Sequence, residues 1–167
     1  LVQFDSSNAT GAIANTKITG TVSWTKVKEG DTTHALPGSE WALTKVKDAN
    51  GVEIADAVSL TVIDNDKNEK AVSDKWADSD SDDGKFTLEG LLPGTYSLVE
   101  TQAPFGYEKN PKVYEFTVSS TDGSITWTED KNPTFDGGGN AYISDSLTTT
   151  SVTIPVTKSV RNTDWPK

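Results

Sequence analysis

Three ionisable side chains occupy positions where an alternating strand pattern asks for apolar ones. In ITGTVSWTKV, residues 18–27, Val22, Trp24 and Lys26 share one face, opposite Thr21, Ser23 and Thr25. In TYSLVET, residues 95–101, Tyr96, Leu98 and Glu100 share a face opposite Thr95, Ser97 and Thr101, with Val99 the apolar exception on the outer side. In AYISDSL, residues 141–147, Ala141, Ile143, Asp145 and Leu147 share a face opposite Tyr142, Ser144 and Ser146. An amine and two carboxyls are thereby directed inward.

An unpaired buried charge costs on the order of several kcal/mol, so such groups must find one another, neutralise, or escape. Three arrangements are open. The groups form a buried ion-pair network; they sit at strand ends and snorkel to water; or they react. Desolvation lowers the pKa of an amine and raises that of a carboxyl, which makes a neutral amine beside a neutral acid accessible. A neutral amine is a nucleophile, and the carbonyl of a protonated aspartate is an electrophile. A neighbouring protonated glutamate would polarise that carbonyl and shuttle protons. The product of such chemistry is an amide between Lys26 and Asp145, with loss of one water.

Other constellations are weaker. Asp78, Asp80 and Asp82 alternate in DSDSDDGKFTLE, residues 78–89, as a calcium loop requires. The glycine, however, falls at the seventh position and the run leads into a strand, so an Asp-rich solvated turn is the better expectation. Asp64, Asp66 and Glu69 form a fainter pattern still. His34, the sole histidine, reads as a surface loop residue. Of the five tryptophans, Trp24 and Trp41 have core parity, which leaves Trp76 and Trp127 as candidate surface platforms for sugars. The chain contains no cysteine, which excludes disulfides, thiolate nucleophiles and thiolate metal sites. No cofactor motif is present.

The elements that must position these groups are strands. Short runs rich in threonine, valine and serine are separated by Asn50–Gly51, Asp83–Gly84, Pro93–Gly94 and Asp122–Gly123 turns, the pattern of an all-β sandwich or barrel. Strands are expected at 18–27, 40–47, 52–63, 85–89, 95–101, 112–119, 124–128, 141–147 and 151–160. Residues 64–83 are too polar for a core strand and read as a loop with a short helix from Glu69 to Trp76. Residues 129–140 form a second long loop. The 167 residues suit one domain with extensions. A net charge of −10, from 15 basic and 25 acidic residues, argues against nucleic acid and anionic membranes as partners. No apolar run approaches the ~20 residues needed to cross a bilayer.

LVETQAPFGY, residues 98–107, fits Leu-x-Glu-x-x-Ala-Pro-x-Gly-Tyr, and it follows LPGSEWAL at 36–43 and GKFTLEGLLPGTYSL at 84–98. Together these resemble the Cna B-type (prealbumin-like) domain of Gram-positive pilins and surface adhesins, over about residues 18–147. The resemblance implies an immunoglobulin-like β-sandwich with a self-formed isopeptide bond. It joins a first-strand lysine to a last-strand Asn or Asp and is promoted by the motif glutamate. By position these are Lys26, Asp145 and Glu100. Asn162, in SVRNT, is the rival acceptor if the tail belongs to the same domain; Asn132 lies in a loop and Asn140 has the wrong parity.

The ends of the sequence resemble each other, IANTKITGTVSWTKV against ISDSLTTTSVTIPVTKSV, which suggests tandem modules. Residues 1–17 would close a preceding module, 18–148 form the sandwich, and 149–167 lead into the next. Asn15 and Lys158 would then be partners of cross-links in the neighbours. The function so implied is a structural stalk or backbone module of a cell-wall-anchored, extracellular protein or pilus, not a turnover enzyme. Its partners would be neighbouring modules and other pilin subunits. The alternative is an adhesin module that touches a host protein or glycan through loops 64–83 and 129–140.

Overall fold

The computed structural model of the chain describes residues 16–65 and 74–157. It is all-β and consists of two facing sheets. The strands are β1 (Gly20–Lys28), β2 (Asp31–Ala35), β3 (Glu40–Lys47), β4 (Ser59–Ile63), β5 (Lys85–Leu91), β6 (Gly94–Gln102), β7 (Val113–Val118), β8 (Ile125–Trp127), β9 (Thr134–Phe135) and β10 (Ala141–Asp145). One sheet runs β4-β3-β6-β7-β8, antiparallel throughout. The other runs β2-β1-β10-β9, with β5 also on β1.

The second sheet matters most for the site. β5 and then β2 pair antiparallel along one edge of β1, and β10 pairs parallel along the other, aligning Lys26 with Ile143 and Lys28 with Asp145. The first and last strands are therefore immediate neighbours. In a parallel pair, residues two apart on the two strands lie diagonally on the same face, which sets Lys26 beside Asp145. The ladder from β1 to β2 shifts register at Val27/Lys28, and Val27 is buried as well as Lys26, a local break in the alternation.

The two sheets close on an aromatic core. Trp24 stacks on Phe86 with centroids 4.8 Å apart and meets Trp41 edge-on at 5.5 Å; Trp41 in turn meets Tyr114 edge-on. Leu43, Leu88, Leu98, Phe116 and Ile143 fill the remainder, all buried. Gly84 supplies a close approach that no other residue could make. Its φ is +75°, a Cβ there would stand 2.6 Å from the Leu36 carbonyl oxygen, and its own carbonyl accepts from the Lys26 amide at 2.8 Å.

Several expectations are corrected. Of 52–63 only Ser59–Ile63 is a strand; the preceding residues make a turn around Asp48, whose carboxylate accepts the amides of Asn50 and Val52. Residues 151–157 are exposed and carry no strand, and 158–160 lie outside the described residues. Of the expected helix Glu69–Trp76, residues 69–73 lie outside the described residues; Asp74 is in a turn and Lys75 bridges Thr61. Two short strands are additional: β2, which holds His34 on an exposed sheet edge, and β9, inside the loop 129–140. Trp76 and Trp127 are partly buried and pack against the core, with Trp127 edge-on to Phe116.

Candidate functional site

Lys26, Glu100 and Asp145 converge. Alternation on β1 turns Lys26 inward one position beyond Trp24 on the same face, the parallel ladder brings Asp145 alongside, and Glu100 faces both from the opposite sheet, where β6 holds it in register with Trp41. The three residues are 0%, 2% and 1% exposed in the order Lys26, Asp145, Glu100, so none of them snorkels to water. Lys26 Nζ lies 2.8 Å from Glu100 Oε1 and donates a short hydrogen bond to Asp145 Oδ1. The ring of Trp41 forms an apolar wall, its centroid 5.3 Å from the nitrogen.

The electrostatics raise the proton affinity of Asp145. Burial pushes the Asp145 carboxyl from 3.8 up to about 6; the hydrogen bond and charge of Lys26 oppose that rise, while the charge and carboxyl hydrogen bond of Glu100 add to it. Asp145 Oδ2 receives no amide or hydroxyl hydrogen bond among the described residues. The second oxygen of Glu100 is occupied: Oε2 accepts the backbone N–H of Asn110 at 2.8 Å. Burial also raises the nearby Tyr114 phenol to about 12, so it stays neutral. Chemically, the arrangement sets one amine between two separate carboxyls, Asp145 on the adjacent strand and Glu100 on the opposite sheet.

Asn110 was not evident from sequence. Its side-chain amide donates to Tyr114 Oη at 3.0 Å and to the Ser144 carbonyl at 2.9 Å, and its Oδ1 accepts the Lys112 amide. The available signal was the Asn110–Pro111 dipeptide, which marks a turn but says nothing of what the turn holds.

The remaining sequence candidates lie elsewhere. Asp78, Asp80 and Asp82 do not converge. Asp78 is buried and accepts the backbone amides of Asn65, Asp80 and Thr87, Asp80 caps the Asp82 amide, and Asp82 pairs with Lys85 at 2.7 Å. The calcium pattern is thus a set of turn and anchoring bonds, and no group of three or more potential metal ligands gathers among the described residues. Asp64 likewise accepts the amides of Gly38 and Gly84. Asn140 is exposed and bonded to Asp136. Asn15, Asn162, Lys158, Asp66 and Glu69 lie outside the described residues.

A two-sheet sandwich whose first and last strands pair in parallel, with an amine and two acids sealed between the sheets, defines a specific class of β module. The chain belongs to the SpaA family of prealbumin-like fold domains, whose model matches residues 20–132. In three dimensions it is similar to the pilus adhesin RrgA from Streptococcus pneumoniae, at 19% identity and a TM-score of 0.51, over 80% of this chain and 16% of that one. It is also similar to the group B streptococcus pilus 2b backbone protein, at 20% identity and a TM-score of 0.42, over 78% of this chain and 42% of that one. The chain thus spans only a part of either relative. No curated protein matches it in sequence.

Proposed function

We propose that the chain is a structural module of an extracellular pilus or surface protein of a Gram-positive bacterium, closed by an amide bond between Lys26 and Asp145 that Glu100 promotes. The observation that carries this reading is the buried contact of one amine with two carboxyls between the opening and closing strands. An ion pair this dry is weak evidence for stability in its own right, because desolvation offsets the attraction. A condensation removes both charges permanently.

The step balances as follows. The neutral Lys26 amine adds to the carbon of the protonated Asp145 carboxyl and gives a proton to Glu100 Oε1, the oxygen nearest to it. Glu100 returns that proton to an Asp145 oxygen, the carbon–oxygen bond breaks with its electron pair on oxygen, and one water leaves. Glu100 ends as it began, and the event happens once per chain. Residues 1–17 and 149–167 would connect this module to its neighbours in the parent protein.

Intact mass spectrometry of the folded, purified chain tests the proposal, with one water missing from the sequence mass as the expected result. A digest should yield a branched peptide that joins Lys26 to Asp145. An unaltered mass would remove the cross-link and leave the fold; loss of ammonia with a Lys26–Asn162 peptide would reassign the acceptor.

A further inference from the structure

Glu100 has two carboxyl oxygens, and only one of them faces Lys26. What decides this is Asn110, in the connection between β6 and β7. Its backbone N–H holds Oε2 at 2.8 Å, which leaves Oε1 as the oxygen near Lys26 Nζ, also at 2.8 Å. The Asn110 side chain crosses to the other sheet and donates to the Ser144 carbonyl, the residue before Asp145, while a second donation to Tyr114 Oη fixes its angle. One residue thereby ties the sheet that bears the proton carrier to the strand that bears the acceptor. Asn110 also lines a cleft of about 270 Å³ with Glu29, Glu108, Ser144, Asp145 and Ser146, although the Asp145 side chain itself stays buried.

We infer that Asn110 is the positioning residue of the cross-linking reaction, setting Glu100 Oε1 near the amine and Asp145 within its reach. This rests on the amide proposed above. Loss of the side chain leaves the backbone donor but frees the turn that aims it, so both carboxyls can rotate or separate.

The test follows linkage in time. Full chains captured unlinked, by stopping a cell-free synthesis in guanidinium, are diluted into buffers across a pH series. Tryptophan fluorescence reports folding, and intact mass reports water loss. For Asn110→Ala, folding should proceed as in the parent, with linkage at least about tenfold slower, short of the ~10²-fold or greater loss expected when a proton-transfer group is removed outright. Asn110→Asp keeps the acceptor for the Lys112 amide and loses the donor unless protonated. Its linkage should recover toward the parent rate as pH falls, whereas the alanine variant should not recover. The groups that titrate around the new carboxyl are Glu100, Asp145, Lys26 and Tyr114 in the core, with Glu29, Glu108 and Lys109 at the cleft. Parent-like linkage rates and pH profiles in both variants would overturn the inference; a parent that folds without losing water would instead overturn the cross-link itself.

Discussion

Lys26 and Glu100 stand on opposite sheets of the sandwich, nitrogen to oxygen at 2.8 Å, with no access to water. Asp145 shares the sheet of Lys26, so the amine is held between an acid beside it and an acid above it. That asymmetry fits the proposed roles: the neighbour on the adjacent strand can be bonded without moving a sheet, and the acid across the gap can serve both reacting groups.

Glu100→Gln keeps the size of the side chain and removes its capacity to take up a proton. Linkage in this variant should slow by about 10²- to 10⁴-fold, read as the ratio of linked to unlinked mass over time in freshly folded chains. Full linkage at the parent rate would reject the role of Glu100.

The proposed cross-link would join residues 119 positions apart in the sequence. By analogy with disulfide closure of a loop of that size, the linked chain should be more stable than the unlinked Glu100→Gln chain by about 5 kcal/mol. Denaturant unfolding of the two forms gives the difference. Lys26→Ala is a poorer reference, because it strands two acids in the core and adds its own cost of about 3–5 kcal/mol.

The pH dependence has a definite sign. The folded-state pKa of Asp145 is raised from 3.8 to about 6, chiefly by burial, so the folded unlinked chain holds that proton more tightly than the unfolded chain does. Its contribution to stability is full below about pH 4 and is lost as pH rises through about 6. An amide has no such proton. The stability difference between linked and unlinked chains should therefore widen from pH 4 to pH 6, measured by unfolding at each pH; a constant difference would contradict the assignment.

Asp78→Ala should cost about 2–4 kcal/mol, because three backbone amides, those of Asn65, Asp80 and Thr87, lose a buried acceptor. Asp82→Ala, whose partner Lys85 is half-exposed, should cost under about 1 kcal/mol. Thermal melts of the two variants check the contrast. Added calcium should not shift the melting temperature of the parent.

The residues that sequence alone singled out were those governed by parity. A lysine in step with Val22 and Trp24, or an aspartate in step with Ala141 and Ile143, has one direction to point, and a strand of ordinary twist fulfils it. Residues whose fate depends on distant chain were less legible. Asp78 sits in a run of aspartates that reads as solvated, and only the arrival of the Asn65 and Thr87 amides makes it a buried anchor. Trp76 and Trp127 lie on segments too short or irregular for periodicity to reveal a core-facing side. β2 pairs with β1 through a few residues and has exposed side chains on both faces, so nothing in its composition marks it as a strand. Asn110 acts partly through its backbone, which leaves little trace in residue type.

The parallel pairing of β1 and β10 carries a mechanical consequence. Chain that enters at the start of β1 and chain that leaves at the end of β10 depart from opposite poles of the module, so tension drives the two strands to slide past each other lengthwise. Sliding strains every rung of the ladder together, a stiffer geometry than peeling them off one by one. A tether from Lys26 to Asp145, set obliquely between rungs, would stop the slip within a bond length and hand the tension directly from one pole to the other.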